Sequence, residues 1–113
     1  MRTLNDYFLT TAIPDVSAAS STFVNVPDGG KIIKIFAHNL ATTTGTAAIT
    51  FEIDGVACTT AAISHVATSS AGKKYAVTPS ALNNVLEGSV IEAITNGGST
   101  NASKMEITFV IRR

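Results

Sequence analysis

The strongest constraint on the fold is the alternation of apolar and polar residues in the closing stretch KMEITFVIRR. Its inward-facing set falls at every second position: Met105, Ile107, Phe109 and Ile111. The opposite set contains Lys104, Glu106, Thr108 and Arg112. Successive side chains of a β-strand point to opposite faces, so this pattern predicts a strand with one buried face and one solvated face.

A second strand with the same pattern ends in a hairpin signal. In AAITFEIDGVA the inward set is Ile49, Phe51 and Ile53, and the pair Asp54-Gly55 follows directly. An Asp-Gly pair accommodates the positive φ values of a two-residue hairpin turn. We therefore expect the next strand to begin at Val56.

The stretch VNVPDGGKIIKIF contains a glycine pair that could belong to a phosphate-binding loop or to the corner of a sheet. A phosphate loop requires a helix after the glycines, because amides at the helix N-terminus bind the anion. The residues after Gly30 are β-branched and typical of a strand. We interpret Pro27–Gly30 as a turn between a strand over residues 22–26 and a strand that begins at Lys31.

This strand is apolar on both faces for part of its length. Alternation places Ile33, Ile35 and Ala37 on one face, and Ile32 and Phe36 on the other. A strand of this kind is central in its sheet or covered on its outer face.

The rest of the chain repeats short apolar runs between turn-forming clusters. Strands are predicted over residues 62–66, 74–78 and 90–95, and loops over residues 42–46, 69–72 and 97–103. One helical turn is predicted within residues 79–88, between Ser80 as a cap and Gly88 as a terminator. About eight short strands with almost no helix predict an all-β fold, an antiparallel β-sandwich of jelly-roll type.

The first twenty residues differ from the rest, and we predict an extended N-terminal arm over residues 1–20 before a sandwich domain over residues 21–113. Small domains with neutral surfaces often exchange such segments between subunits. The alternative is that the segment folds back over its own sandwich. The candidate contacts with another subunit or with a partner are the apolar residues of this arm: Leu4, Tyr7, Phe8, Leu9 and Ile13.

The surface carries little charge. Only 14% of the 113 residues are Asp, Glu, Lys or Arg, and the formal net charge is zero, whereas about 25% is typical of soluble domains. Such a surface resists association weakly, so we expect it to be covered by other protein. Nucleic acid is not expected as a partner, because binding to phosphates depends on an excess of Lys and Arg.

Nothing in the sequence predicts export or membrane insertion. The N-terminal stretch lacks the apolar core of a signal peptide, and no window has the roughly eighteen apolar residues of a membrane helix. We expect synthesis in the cytoplasm. The single cysteine, Cys58, is expected to be a small, partly buried apolar residue without a disulfide.

No catalytic, cofactor-binding or metal-binding residue is predicted. His38, His65 and Cys58 lack the close spacing of a zinc motif. The carboxylates that a glycosidase-type pair would need occupy solvated strand faces or turns: Glu52, Asp54, Glu92 and Glu106. The expectation is a protein that is not an enzyme.

The order of the motifs resembles a known family. SSTFVNVPDGGKIIKIF, then AAITFEIDGVA, then LEGSVIEAITNGGSTNASKMEITFVIRR is similar to the small β-sandwich decoration, or cement, proteins on the heads of tailed bacteriophages. The resemblance covers residues 20–113, and its most distinctive part is the closing stretch.

The resemblance implies a structural protein on the outer capsid surface of a virion. Such a protein binds the lattice of the major capsid protein, clamps neighbouring capsomers, and is a homodimer or homotrimer without a cofactor. The alternative is a jelly-roll module of a phage fibre or surface appendage that binds carbohydrate or a receptor. That module would expose aromatic platforms, and among the aromatic residues only Tyr7 and Tyr75 are placed where such a platform is easily imagined.

Overall fold

A computed structural model describes residues 5–64 and 68–113, and in these residues the chain folds entirely into β-structure. Twelve strands occur within them, five of only two residues. In chain order they are β1 (Asp6–Ile13), β2 (Ser20–Asn25), β3 (Gly30–Asn39), β4 (Thr43–Thr44), β5 (Ala48–Ile53), β6 (Val56–Ala57), β7 (Ile63–Ser64), β8 (Thr68–Ser69), β9 (Lys74–Val77), β10 (Asn84–Val85), β11 (Val90–Thr95) and β12 (Met105–Arg112).

The strands form two antiparallel sheets of five strands each. The first sheet has the order β1-β12-β3-β10, and β9 also pairs with β3. The second sheet has the order β2-β11-β5-β6, and β7 also pairs with β5. A small ribbon of β4 and β8 stands apart from both. This architecture confirms the predicted antiparallel β-sandwich.

The core lies between the two sheets and follows the predicted alternation. All four inward residues of β12 are fully buried, and so are Ile49 and Phe51 of β5. Phe109 from the first sheet meets Phe51 from the second edge to face, with ring centroids 5.6 Å apart and an interplanar angle of 88°. This pair links the two layers at their centre.

The glycine pair lies in a sheet corner, as predicted. Pro27, Asp28 and Gly29 connect β2 to β3, and Gly30 is the first residue of β3. A Cβ atom at Gly30 would lie 2.7 Å from the carbonyl oxygen of Arg112 on β12. The second glycine is therefore required because two strands approach closely, and the glycines lead into a strand instead of the helix that a phosphate loop requires.

Nine residues of the segment predicted as an arm are in strands of the sandwich, eight in β1 and Ser20 at the start of β2. β1 pairs antiparallel with β12 along its whole length, from Asp6 opposite Arg112 to Ile13 opposite Met105. The arm prediction is wrong for these residues, because Tyr7, Leu9 and Ile13 gain more by covering the core than by extending into solvent. Residues 1–4 lie outside the described part of the chain.

A β-bulge in β3 changes which of its residues face the core, so the predicted assignment of Ile32 and Ile33 to the two faces is wrong. The register between β3 and β12 shifts where Val110 pairs with Lys34 and Ile111 with Ile32. Ile33 is the extra residue, and Ile32 joins Ile35 and Ala37 in the core. Two residues on one strand then oppose one on the other, so the alternation of side chains reverses at this point.

The predicted helical turn does not form. Residues 84 and 85 form the short strand β10 instead, which pairs with Lys31 and Gly30 of β3. The predicted strand over residues 62–66 is observed as β7, and its last two residues lie outside the described ranges. Within residues 5–64 and 68–113, there is no helix of sufficient length and apolar character to cross a membrane.

Candidate interaction surfaces

Seven large apolar side chains are exposed among the described residues, and three of them gather at one end of the sandwich. These three are Val56, Leu82 and Leu86, with exposed fractions of 54%, 60% and 74%. They surround a shallow pocket of about 300 Å³ between the β5–β6 hairpin and the segment 82–89. Below we call this site the end pocket.

One wall of the end pocket is held by backbone and buried side-chain hydrogen bonds. The Asn83 side chain is buried, and its Nδ2 donates to the carbonyl oxygen of Ile32 at 2.6 Å. The amide of Ile32 donates back to the Asn83 carbonyl oxygen at 2.9 Å. On the other side, the Thr59 amide donates to the carbonyl oxygen of Ala81 at 2.9 Å. The residues that flank Leu82 are therefore fixed to β3 of the first sheet and to the segment that follows β6.

Leu82 itself adopts a backbone conformation that leucine rarely occupies. Its φ is +54°. A residue with a Cβ atom in this left-handed region costs about 1 to 2 kcal/mol relative to the right-handed region. The cost is met by the hydrogen bonds of its neighbours, and the result is an apolar side chain presented to solvent. Strain of this kind concentrates at functional positions.

Leu86 is the first residue of a tight turn that has Glu87 and Gly88 at its tip. The Ser89 amide donates to the Leu86 carbonyl oxygen at 2.9 Å, and Ser89 Oγ accepts the Leu86 amide at 3.0 Å. Gly88 has a φ of +85°, which a type II turn requires at its third position. The Gly88 amide also donates to the carbonyl oxygen of Val26 at 2.8 Å. Leu86 is thus displayed from a turn anchored at both ends.

Asp54 forms the polar part of the opposite wall. Its Oδ1 accepts the amide of Val90 at 2.9 Å, and its own amide donates to the Val90 carbonyl oxygen at 2.9 Å. The hydrogen bond from Val90, followed by one from the Ser89 side chain, holds the pKa of Asp54 below its usual value. The hairpin is therefore tied to β11, and the pocket is preformed in this structure.

A second apolar area lies on the outer face of the first sheet. Phe8 of β1 and Phe36 of β3 are 57% and 40% exposed there. Val110 lies between their strands, opposite Phe8 and Lys34 in the register, and it is almost completely buried although it points away from the core. Of the two explanations for the double-sided β3, the structure shows the central position, because β3 pairs with β12 on one side and with β9 and β10 on the other.

The candidate contact residues of the N-terminal segment differ in their exposure to solvent. Phe8 is exposed, whereas Tyr7 and Leu9 are half-buried against the core and Ile13 is completely buried. Leu4 lies outside the described residues. Tyr75 is also half-buried against the core, so neither tyrosine forms an open platform.

Sequence reasoning missed Leu82 and Leu86. Both lie in the segment that was assigned a helical turn, where exposed leucines carry no distinctive pattern. The available signal was one leucine directly before the polar pair Asn83-Asn84 and another directly before Glu87, in a stretch too short for a layer of the fold.

In the described part of the chain, the histidine, cysteine and carboxylate side chains do not gather into one cluster. His38 Nε2 and Glu106 Oε2 are 3.7 Å apart on the outer face of the first sheet, and both are largely exposed. Burial raises the pKa of the Cys58 thiol, and the charge of Glu52 raises it further, so this thiol is protonated at neutral pH. Within residues 5–64 and 68–113, no three His, Cys, Asp or Glu side chains are grouped as metal ligands. His65 is outside these ranges.

Comparison with known proteins identifies the fold without assigning a family. No protein-family model matches the sequence, and no curated protein matches it. Among solved structures, a chain from the acidic stable capsid structure of Helicobacter pylori bacteriophage KHP30 is similar, with a TM-score of 0.60 and 10% identity over 96% of this chain and 87% of that one.

Two further structures share the sandwich. The nucleoplasmin-like N-terminal domain of Drosophila FKBP39 has a TM-score of 0.53 and 10% identity over 100% of this chain and 95% of that domain. The Agl-KA catalytic domain has a TM-score of 0.54 and 11% identity, and it matches 89% of this chain with 21% of its own. At these identities the likeness shows a common fold alone.

Proposed function

We propose that this protein is a non-enzymatic structural protein of a bacteriophage virion, which binds the outside of the capsid and clamps neighbouring capsomers. The protein partner is the lattice of the major capsid protein, and the clamp is a homo-oligomer. The similarity of this fold to a chain from a phage capsid structure supports this class of protein, because the similarity extends over nearly the whole of both chains.

The observation that carries the proposal is the end pocket with its strained leucine. Leu82 and Leu86 expose apolar surface that folding alone would favour burying, and hydrogen bonds of their neighbours to β3, Thr59 and Val26 hold them in place. A preformed contact loses little conformational entropy on binding. An apolar site of this kind is suited to another protein surface.

The sparse charge is consistent with the same partner. A lattice repeats one site many times, and each molecule that bridges two subunits gains from an effective concentration for its second contact. Small apolar contacts are then collectively strong without long-range electrostatic attraction.

The alternative, a carbohydrate- or receptor-binding module, would have to use exposed aromatic rings away from the end pocket, such as Phe8 and Phe36 on the outer face of the first sheet. An aromatic platform from tyrosine would need Tyr7 or Tyr75 open to solvent, and both pack against the core. The exposed residues at the end pocket are aliphatic, and aliphatic side chains do not stack on sugar rings.

The test uses expanded empty heads of a tailed phage whose head genes neighbour the gene for this protein. The purified protein should co-sediment with these heads and saturate at a fixed ratio. Leu82→Asn should weaken this binding at least tenfold. Asparagine tolerates a positive φ, so the variant should unfold at the same temperature as the wild type or higher.

Leu40→Asn is the matched control. Leu40 is 47% exposed and follows β3 at the end opposite to Gly30, about 30 Å from the pocket by the length of the strand. This variant should bind as the wild type does. Unchanged binding of Leu82→Asn, or wild-type protein that stays in the supernatant, would contradict the proposal.

A further inference from the structure

The two edge strands β1 and β2 lie together on one side of the molecule, and we call this side the β1–β2 flank. β1 is the last strand of the first sheet, β2 is the last strand of the second, and the two pack against each other. An edge strand presents backbone groups that can pair with another strand. The flank therefore offers two such edges side by side.

The flank lacks the usual protection against pairing. Proteins guard their edges with lysines, prolines, bulges or very short strands. β1 and β2 contain eight and six residues, and neither contains Lys, Pro or Gly. Their one charged residue, Asp6, is held by Arg112, with Nε–Oδ1 and Nη2–Oδ2 distances of 2.8 and 3.2 Å.

The opposite side of the molecule is built differently. Its strands in the described part of the chain are β9, β10, β6 and β7, with four, two, two and two residues. Short edges of this kind do not support extended pairing with another chain. The contrast assigns the open edge to the β1–β2 flank.

Two exposed phenylalanines lie on this flank. Phe8 on β1 is 57% exposed and Phe23 on β2 is 62% exposed, each on the outer face of its sheet. A strand added beside β1 would place a side chain next to Phe8 at the distance of a cross-strand pair. Pairing would cover apolar surface that the single chain leaves in water.

We propose that β1 pairs antiparallel with β1 of a second copy of this chain around a two-fold axis. Directly opposite residues must point to the same face, so the axis passes through a residue, and Leu9 or Thr10 gives the longest overlap of the two strands. In the first register Phe8 lies opposite Thr10 of the partner subunit, and in the second it lies opposite Ala12 of the partner subunit. Each sheet of one copy then lies next to the same sheet of the second copy, so the two-layer arrangement continues across the axis.

The area is sufficient for a specific dimer. In either register seven residues of β1 overlap over about 24 Å, and two sheets about 10 Å apart with their outer side chains make the flank about 20 Å high. The two copies together then bury about 1,000 Å², the lower limit for a specific interface.

The dimer also positions the end pockets. β10 and β6, which border the pocket, lie at the edges farthest from β1 and β2. A dimer through the flank carries one pocket at each distant end, and two outward sites are what a clamp between capsomers needs. The proposal rests on the self-association in the proposed function and selects a two-fold dimer over a trimer.

The experiment is sedimentation of the full chain over a concentration series, without phage heads. The wild type should reach a dimer. Thr10→Lys places a charge at the axis on an exposed position and should weaken the dimer at least tenfold. Thr50→Lys is the control, because Thr50 is exposed on the outer face of the central strand β5 and should leave the dimer unchanged.

A cross-link locates the contact independently of stability. With Cys58→Ala as background, the double variant Phe8→Cys/Thr10→Cys should form a covalent dimer on mild oxidation in either register, because position 10 lies opposite position 8 or position 10 of the second copy, whereas Thr50→Cys should not. A wild-type monomer at high concentration, a trimer, or a dimer that Thr10→Lys leaves intact would overturn the proposal. Since no capsid is present, a dimer that fails to bind heads would refute only the capsid proposal.

Discussion

Truncation of Phe109 tests whether the alternation of β12 really defines the core. Phe109 is completely buried on a strand with neighbours on both sides, Leu9 on β1 and Ile35 on β3. Its ring also makes the edge-to-face contact with Phe51. A strand held on both sides cannot move to fill a cavity, so we expect Phe109→Ala to destabilise the fold by about 3 to 5 kcal/mol.

Equilibrium unfolding in urea measures this change, because the free energy of unfolding extrapolates linearly to zero denaturant. Leu40→Ala is the control, since Leu40 is 47% exposed outside the β1–β2 flank and its truncation should cost no more than about 1 kcal/mol. A loss below about 0.5 kcal/mol for Phe109→Ala would refute the assignment of the core.

A double-mutant cycle isolates the aromatic contact between the sheets. Phe51→Leu and Phe109→Leu retain most of the apolar volume, so both single variants and the double variant should fold. The coupling energy should be about 0.5 to 1.5 kcal/mol, the range for edge-to-face pairs. If the two substitutions change the free energy of unfolding additively, the rings contribute only their buried apolar surface.

Two further predictions concern the glycine corner and the hairpin. Gly30→Ala should destabilise by about 1 to 3 kcal/mol in urea unfolding, because the new Cβ meets the Arg112 carbonyl oxygen at 2.7 Å; Gly29→Ala, with its nearest atom at 3.5 Å, should be close to neutral. The lowered pKa of Asp54 stabilises the fold above its ordinary value of 3.8, and this gain is lost as the pH falls through the folded-state pKa. The stability advantage of the wild type over Asp54→Asn, followed by thermal unfolding against pH, should therefore disappear in acid, and an advantage independent of pH would contradict this cause.

The sequence was informative where structure depends on near neighbours. The strand β11 was predicted with the observed bounds, 90–95, and the turn at Asp54-Gly55 shows the expected positive φ values of 50° and 84°. Both features follow from a local rule, the alternation of side chains or the freedom of a particular residue pair. Such rules need no knowledge of the rest of the chain.

The candidate site depended on contacts that no local rule contains. The segment DYFLTTAI could extend as an arm or pair as a strand, and the choice depends on β12, about a hundred residues away along the chain. Leu82 accepts its left-handed backbone because Asn83 bonds to β3 and Ala81 bonds to Thr59.

The sequence by itself therefore determined the class of fold, the main strands and their inward faces, because side-chain period and turn chemistry are properties of short segments. Only the tertiary structure decided that the N-terminal segment is an edge strand, that β3 changes face at Ile33, and that two leucines stand exposed at the end pocket. In each case a local conformational cost is offset by contacts with residues that are distant in sequence. These contacts exist only when the chain is folded, so no short segment contains the information.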